Sequence, residues 1–185
     1  MTLSLELEDY ARQIDSVNAE ARALVANHSQ AELTRTPANG GWSAAECLDH
    51  VARTIEGYLP PLRAALEVGR RNGQFAEGPF RYGFLARMFL WVLEPPVRLR
   101  VKAPAVFVPR EQPSVQSALD AWLARHAELQ ELLPLAEGLD LAGIRVPSPA
   151  NNKMKMPAGA VVGVLTAHAR RHLWQARRAL SESET

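Results

Sequence analysis

Gly41-Trp42-Ser43-Ala44-Ala45-Glu46-Cys47-Leu48-Asp49-His50 is the stretch on which the reading of this chain turns. Ser43 followed by Glu46 makes a capping box, in which each side chain satisfies a free backbone N–H in the first turn of a helix. Trp42 and Cys47 are placed to close a hydrophobic staple across that turn. Beyond this start Cys47, His50, Val51, Thr54, Ile55 and Tyr58 recur at helical spacing and so share one buried stripe. The stripe carries His50 inward. Pro60 and Pro61 are predicted to kink or interrupt the helix, because proline removes a donor and collides with the preceding turn, although the pattern resumes from Leu62 to Leu66.

Toward the N-terminus, Leu7, Tyr10, Ile14, Val17, Ala21 and Leu24 step by threes and fours. They predict a first helix running to about His28, where an imidazolium would suit the helix dipole. Pro37, Asn39, Gly40 and Gly41 mark the turn that follows. Toward the C-terminus a long proline-rich crossover spans Gly69 to Pro113. It holds the apolar segment Phe84 to Leu93, read as a buried or interfacial helix, and Arg98 to Phe107, read as a short extended piece. A third helix is predicted from Ser114 to near Pro134 through Val115, Leu119, Trp122, His126, Leu129 and Leu133. After a loop with Pro147, Pro149 and Pro157, the last helix should run from Ala158 to Leu180. The fold class is therefore all-α: one domain over residues 1–185, a four-helix bundle of up-up-down-down topology with its long crossover between helices two and three.

Composition narrows the function. Hydrophobic residues make up 47% and charged residues 22%, a globular balance, and 21 Lys plus Arg against 20 Asp plus Glu leave a net charge of +1. Such a charge offers no field to draw in nucleic acid or anionic lipid. A lone cysteine, Cys47, permits no intrachain disulfide, and the acidic start Glu6, Glu8 and Asp9 is unlike a signal peptide, so a cytoplasmic home is expected. Phe84 to Leu93 is too short to span a bilayer, which takes about 20 residues. A small-molecule substrate is the expected partner.

His168 and His172 stand four residues apart on the last helix, one turn above each other and in line with Val161 and Leu165. Together with His50 they make three inward imidazoles from two helices, a candidate divalent-metal site. Three neutral ligands leave coordination positions open and the ion's charge uncompensated, which favours an anionic fourth ligand, hydroxide or thiolate. Glu46, Asp49, Arg171 and Gln175 are candidates to support the ligands from behind. Plainer readings stand beside these. His126 can be a substitute ligand or a core histidine, and Cys47 a thiolate ligand or a small buried residue. Phe80, Phe84, Phe89 and Trp91 can line a pocket or simply pack; Arg170, Arg171, Arg177 and Arg178 read as a solvated face.

The pairing of G-W-S-x-x-E-x-x-x-H at Gly41–His50 with His168-Ala169-Arg170-Arg171-His172-Leu173-Trp174-Gln175 resembles the DinB-like (YfiT-like) metalloenzyme family, and the similarity extends through Glu94-Pro95-Pro96 to Pro104 and Pro109. The resemblance implies an up-up-down-down four-helix bundle and a nickel or zinc site held by His50, His168 and His172. It also implies a homodimer and a transferase-like activity that uses a low-molecular-weight thiol. Two readings compete with that activity: hydrolysis by metal-bound hydroxide with Glu46 or Asp49 as base, and a non-catalytic, stress-related metal-binding dimer. The chain departs from the family at Ala150-Asn151-Asn152-Lys153-Met154-Lys155-Met156, where relatives often approach the last helix with more apolar residues.

Overall fold

The structure is a computed structural model that describes residues 3–38, 40–96, 99 and 102–181. Its elements are α1 (Leu5–Ala26), α2 (Gln30–Thr34), α3 (Ala44–Arg71), α4 (Phe84–Leu93), α5 (Val115–Ala136), β1 (Arg145–Ser148), β2 (Asn151–Pro157) and α6 (Ala158–Ser181), with a 3₁₀ turn at Ala105–Phe107. The chain is thus mainly helical, as the heptad-like stripes require. The capping box forms as read, the Ser43 hydroxyl accepting the Glu46 N–H while the Glu46 carboxylate takes the Ser43 N–H, and the structure adds a cap at Ser114, whose hydroxyl accepts from Ser117 N–H. α3 continues through Pro60 and Pro61 without a break, since burial of Leu59, Leu62 and Leu66 around them offsets the roughly 3 kcal/mol of an interior proline.

α1, α3, α5 and α6 enclose one core that includes Ile14, Val51, Ile55, Trp122, Leu129 and Leu165. Pairs along their faces give the directions. Asn18 accepts from Trp122 Nε1 at 2.9 Å and Asp15 from Gln130 at 2.8 Å, so α1 and α5 are antiparallel. Gln13 meets Arg170 at 2.9 Å and Glu20 meets Arg177 at 2.6 Å, so α1 and α6 run the same way. His50 faces His168, while Leu62 and Leu66 converge with Ala158 and Val162 at the other end, so α3 opposes α6. Glu56 pairs with Arg125, and Leu66 with Leu132 and Leu133, so α3 and α5 are parallel.

The order is therefore up-down-down-up, which corrects the up-up-down-down topology. Parallel first and second long helices need a connection spanning roughly 33 Å, the length of 22 helical residues. Residues 27–43 instead form a short reversal around α2. Only the link between α3 and α5 crosses the full length, and it makes those two parallel.

Three further differences concern the site's walls. The antiparallel hairpin β1–β2 forms where no strand was expected: its outer face meets solvent, and its single deeply buried position in β1, Val146, leaves no alternation to read. α4 is a helix as expected, but only Leu93 is buried, and Phe84, Leu85, Met88, Phe89 and Trp91 are exposed. Of the extended piece, Ala105–Phe107 turns as 3₁₀ helix, while Arg98 and the turn residue Asn39 lie outside the described residues. No helix among the described residues is long and apolar enough to cross a membrane.

The crossover is pinned to α1 by Glu6, whose carboxylate takes the hydroxyls of Tyr82 and Tyr10, the latter at 3.2 Å. Gly159 is what lets Tyr82 in, because a Cβ there would overlap the tyrosine hydroxyl. Gly159→Ala is expected to push Tyr82 off Glu6 and lower unfolding free energy by about 1–3 kcal/mol, read by urea denaturation, despite alanine's better helix propensity.

Candidate metal centre

α3 and α6, running oppositely, place His50 against His168 and His172. One nitrogen of each ring lies within 4.8 Å of one nitrogen of both others. Nε2 of His50 and Nε2 of His168 are 3.1 Å apart, and the three ring centroids are separated by 4.5–4.9 Å with near-perpendicular planes. An ion bound tetrahedrally at zinc–nitrogen distances needs donors about 3.3 Å apart. The first pair already meets that spacing, and the wider ones ask only for side-chain adjustment.

Protonation suits the same use. Burial pushes His50 below its ordinary range, and burial with repulsion from His50 and Arg171 takes His168 down to about 3. His172 is held well below normal for the same reasons. All three are neutral at pH 7, the form in which imidazole donates a lone pair. The Phe107 carbonyl can only accept, so His50 Nδ1, 2.6 Å away, carries the proton and leaves Nε2 free to donate its electrons. Nδ1 of His168 and of His172 is buried and meets no protein acceptor. Of the three, only His50 has its Nδ1 proton held by a protein acceptor.

The supporting residues divide. Asp49 is buried and accepts the Arg110 N–H at 2.8 Å, which braces the segment that offers the Phe107 carbonyl. Arg171 is buried beside the imidazoles, donating to the carbonyls of Val92 at 3.1 Å and Leu99 at 2.6 Å; it does not belong to a solvated face. Gln175 lies close enough to favour a charged His172 but gives its Nδ1 no hydrogen bond. Glu46 is committed to the Ser43 cap, 2.8 Å from both its N–H and its hydroxyl. Among the arginines read with Arg171, Arg170 pairs with Glu94 and Arg177 with Glu20.

Neither proposed fourth ligand joins the cluster. Cys47 is fully buried with its thiol pushed far up by desolvation. His126 gives Nδ1–H to Trp122 O at 2.9 Å and leaves Nε2 buried without a partner. Burial lowers His126 to about 4, so below pH 6.5 the unfolded chain takes a proton that the folded one refuses. The associated stability is complete above 6.5 and drains as pH falls toward 4. His126→Leu is expected to shrink the loss between pH 7 and pH 5 by roughly 2 kcal/mol, measured by urea unfolding at both values.

The histidines open onto a cavity of about 1540 Å³. Its walls are α4 with Phe84, Leu85, Met88 and Phe89, the hairpin with Met154 and Met156, and Phe107 beside Tyr58. Among the described residues, no aspartate or glutamate lines it. Phe84 and Phe89 thus serve as pocket walls, whereas Trp91 points to solvent and Phe80 packs on the core. Trp42, read as a staple, also belongs to the site: its ring centroid is 4.5 Å from that of His50 and 5.8 Å from that of His172. Its place in the Gly-Trp-Ser approach to the cap was the available signal. The Phe107 carbonyl offered none, since every residue carries one.

A family model described as the DinB superfamily matches residues 13–176, a span that includes all three histidines and most of the chain. No curated protein and no solved structure matches it.

Proposed function

The chain belongs to the DinB superfamily, and from that membership we propose that it is a metal-dependent enzyme transferring a low-molecular-weight thiol to an electrophilic small molecule. His50, His168 and His172 would hold the divalent ion, nickel or zinc being suited to neutral imidazole. Once bound, such an ion supplies positive charge and an open position that favours an anionic nucleophile. The rest is done by the chain. Phe107 orients His50, Trp42 shields the rings, and Arg171 adds a buried positive charge beside them. A thiol, with an ordinary pKa near 8.5, can ionise in such surroundings without a dedicated base.

The observation that carries this reading is a three-imidazole cluster at a large cavity with no carboxylate among the described residues of its lining. Hydrolysis is less well served, because it asks for a base within reach of water. Glu46 is spent on a helix cap and Asp49 on Arg110. A purely structural ion would normally be closed by four protein ligands, and among the described residues the cluster has three.

Metal-loaded protein incubated with a small thiol and an aryl chloride is expected to form a C–S bond with release of chloride and the thiol proton, only when metal is present. Metal-dependent ester hydrolysis without thiol consumption would replace this reading with the hydrolase.

A further inference from the structure

Among the described residues, the charged side chains that line the cavity are of one sign. Lys102 lies in the crossover, Arg145 and Lys155 on the hairpin, and Arg171 and Arg178 on α6, and all five line the cavity. Arg178 stacks over Trp174 at 5.0 Å, Arg145 donates to the Lys155 carbonyl at 3.0 Å, and Arg171 is held by two carbonyls. Among the described residues, none of Lys102, Arg145, Lys155 and Arg171 forms an ion pair with a carboxylate. Elsewhere Arg12, Arg110, Arg125, Arg170 and Arg177 meet acidic groups. In a chain whose net charge is only +1, five cations and no carboxylate among the described lining residues make a local excess of positive charge.

The same cavity carries apolar surface that the fold itself leaves uncovered. Phe84 and Leu85 are 76% and 74% exposed, and Met154 is 59% exposed, yet all three face the cavity. Exposed apolar groups gathered around a concavity are stabilised by a ligand that removes them from water. Cations lining the same cavity attract an anion, and low-dielectric walls strengthen that attraction.

We propose that this cavity binds an organic anion with an extended apolar part, its acidic group among Lys102, Lys155 and Arg145 and its apolar part along α4. The proposal deepens the preceding function by naming the charge and shape of the substrate, and its test does not depend on the metal. Lys102 and Lys155 are exposed and outside the histidine cluster, so Lys102→Gln/Lys155→Gln leaves fold and metal ligands intact.

Full-length, metal-free protein is titrated calorimetrically at low ionic strength with decanoate, decyl phosphate and decanol, each below its micelle concentration. One of the anions is expected to bind one-to-one and about tenfold tighter than decanol, the advantage shrinking in high salt. The tighter anion identifies the head group. The double variant should lose most of that advantage while its decanol affinity stays the same. Equal binding of anion and alcohol, an advantage that survives in the variant, or no binding of any of the three would overturn the proposal. So would selectivity seen only in zinc-loaded protein, which would assign it to the ion. Zinc stoichiometry measured on the same preparation separates failure here from failure of the metal reading.

Discussion

Alanine at His168 is expected to abolish stoichiometric binding of a divalent ion while leaving the helical fold in place. His168 is central because its Nε2 is 3.1 Å from that of His50, the closest donor pair in the cluster. Its removal leaves two imidazoles on different helices, and the loss in affinity should exceed the 10–100-fold attached to groups that merely support a ligand. Elemental analysis of protein purified without a metal-affinity tag should find one equivalent in the parent and none in the variant. Thermal denaturation gives an independent reading. Metal at a hundredfold excess over its Kd stabilises the parent by about 2.7 kcal/mol, and the variant should show no shift. Far-UV circular dichroism should stay unchanged, because the core formed by Ile14, Ile55, Trp122 and Leu129 does not use this ring. A variant that still binds one equivalent at parental affinity would remove His168 from the ligand set.

The histidines were legible because a helix converts sequence spacing into direction. His168 and His172 had to share a face, and His50 had to lie on the Cys47–Val51–Thr54 stripe, whatever the remainder of the chain did. Convergence of the two helices depended on topology, and there the single long crossover was read as though it were one of two. Residues 27–43 are long enough for either course, and the turn around α2 that reverses the chain there has no periodic signal to read. What spacing cannot reveal is backbone contact across the fold. Phe107 lies 57 residues beyond His50, in a proline-rich stretch without periodicity, and nothing in its side chain announces that its carbonyl will fix an imidazole. The hairpin was hidden for a related reason. Lys153, Met154 and Lys155 are exposed, so their strand has no buried alternation, although its inner side walls the cavity. Arg171 was legible as a neighbour of the site by position, yet its grouping with Arg170, Arg177 and Arg178 obscured its burial. An arginine whose donors are taken by Val92 and Leu99 carbonyls can sit inward without a carboxylate.

Asp49→Ala is expected to weaken metal binding by about 10–100-fold without touching a ligand, the range found for groups that orient metal-bound histidines. Asp49 and His50 are consecutive on α3 and grip two points of one segment: the carboxylate takes the Arg110 N–H at 2.8 Å, and the imidazole gives Nδ1–H to the Phe107 carbonyl at 2.6 Å. The Arg110 guanidinium, 3.7 Å from Asp49 and 58% exposed, adds little through water. The backbone bond is the stronger latch, a hydrogen bond to a charged group contributing about 1.5–3 kcal/mol. Without it the Arg110 N–H must find another partner, residues 107–110 loosen, and the Phe107 carbonyl no longer holds the proton on Nδ1 of His50. Asp49→Asn keeps an oxygen that can accept the same N–H, so its affinity should remain within a few-fold of the parent. A general loss of packing would not separate the two variants in this way. Nitrogen NMR of the metal-free protein supplies the decisive signal: His50 should be a single Nδ1–H tautomer in the parent and in Asp49→Asn, and a mixture in Asp49→Ala. Parental affinity and an unchanged tautomer in Asp49→Ala would show that Phe107 is held in place by the surrounding apolar contacts alone.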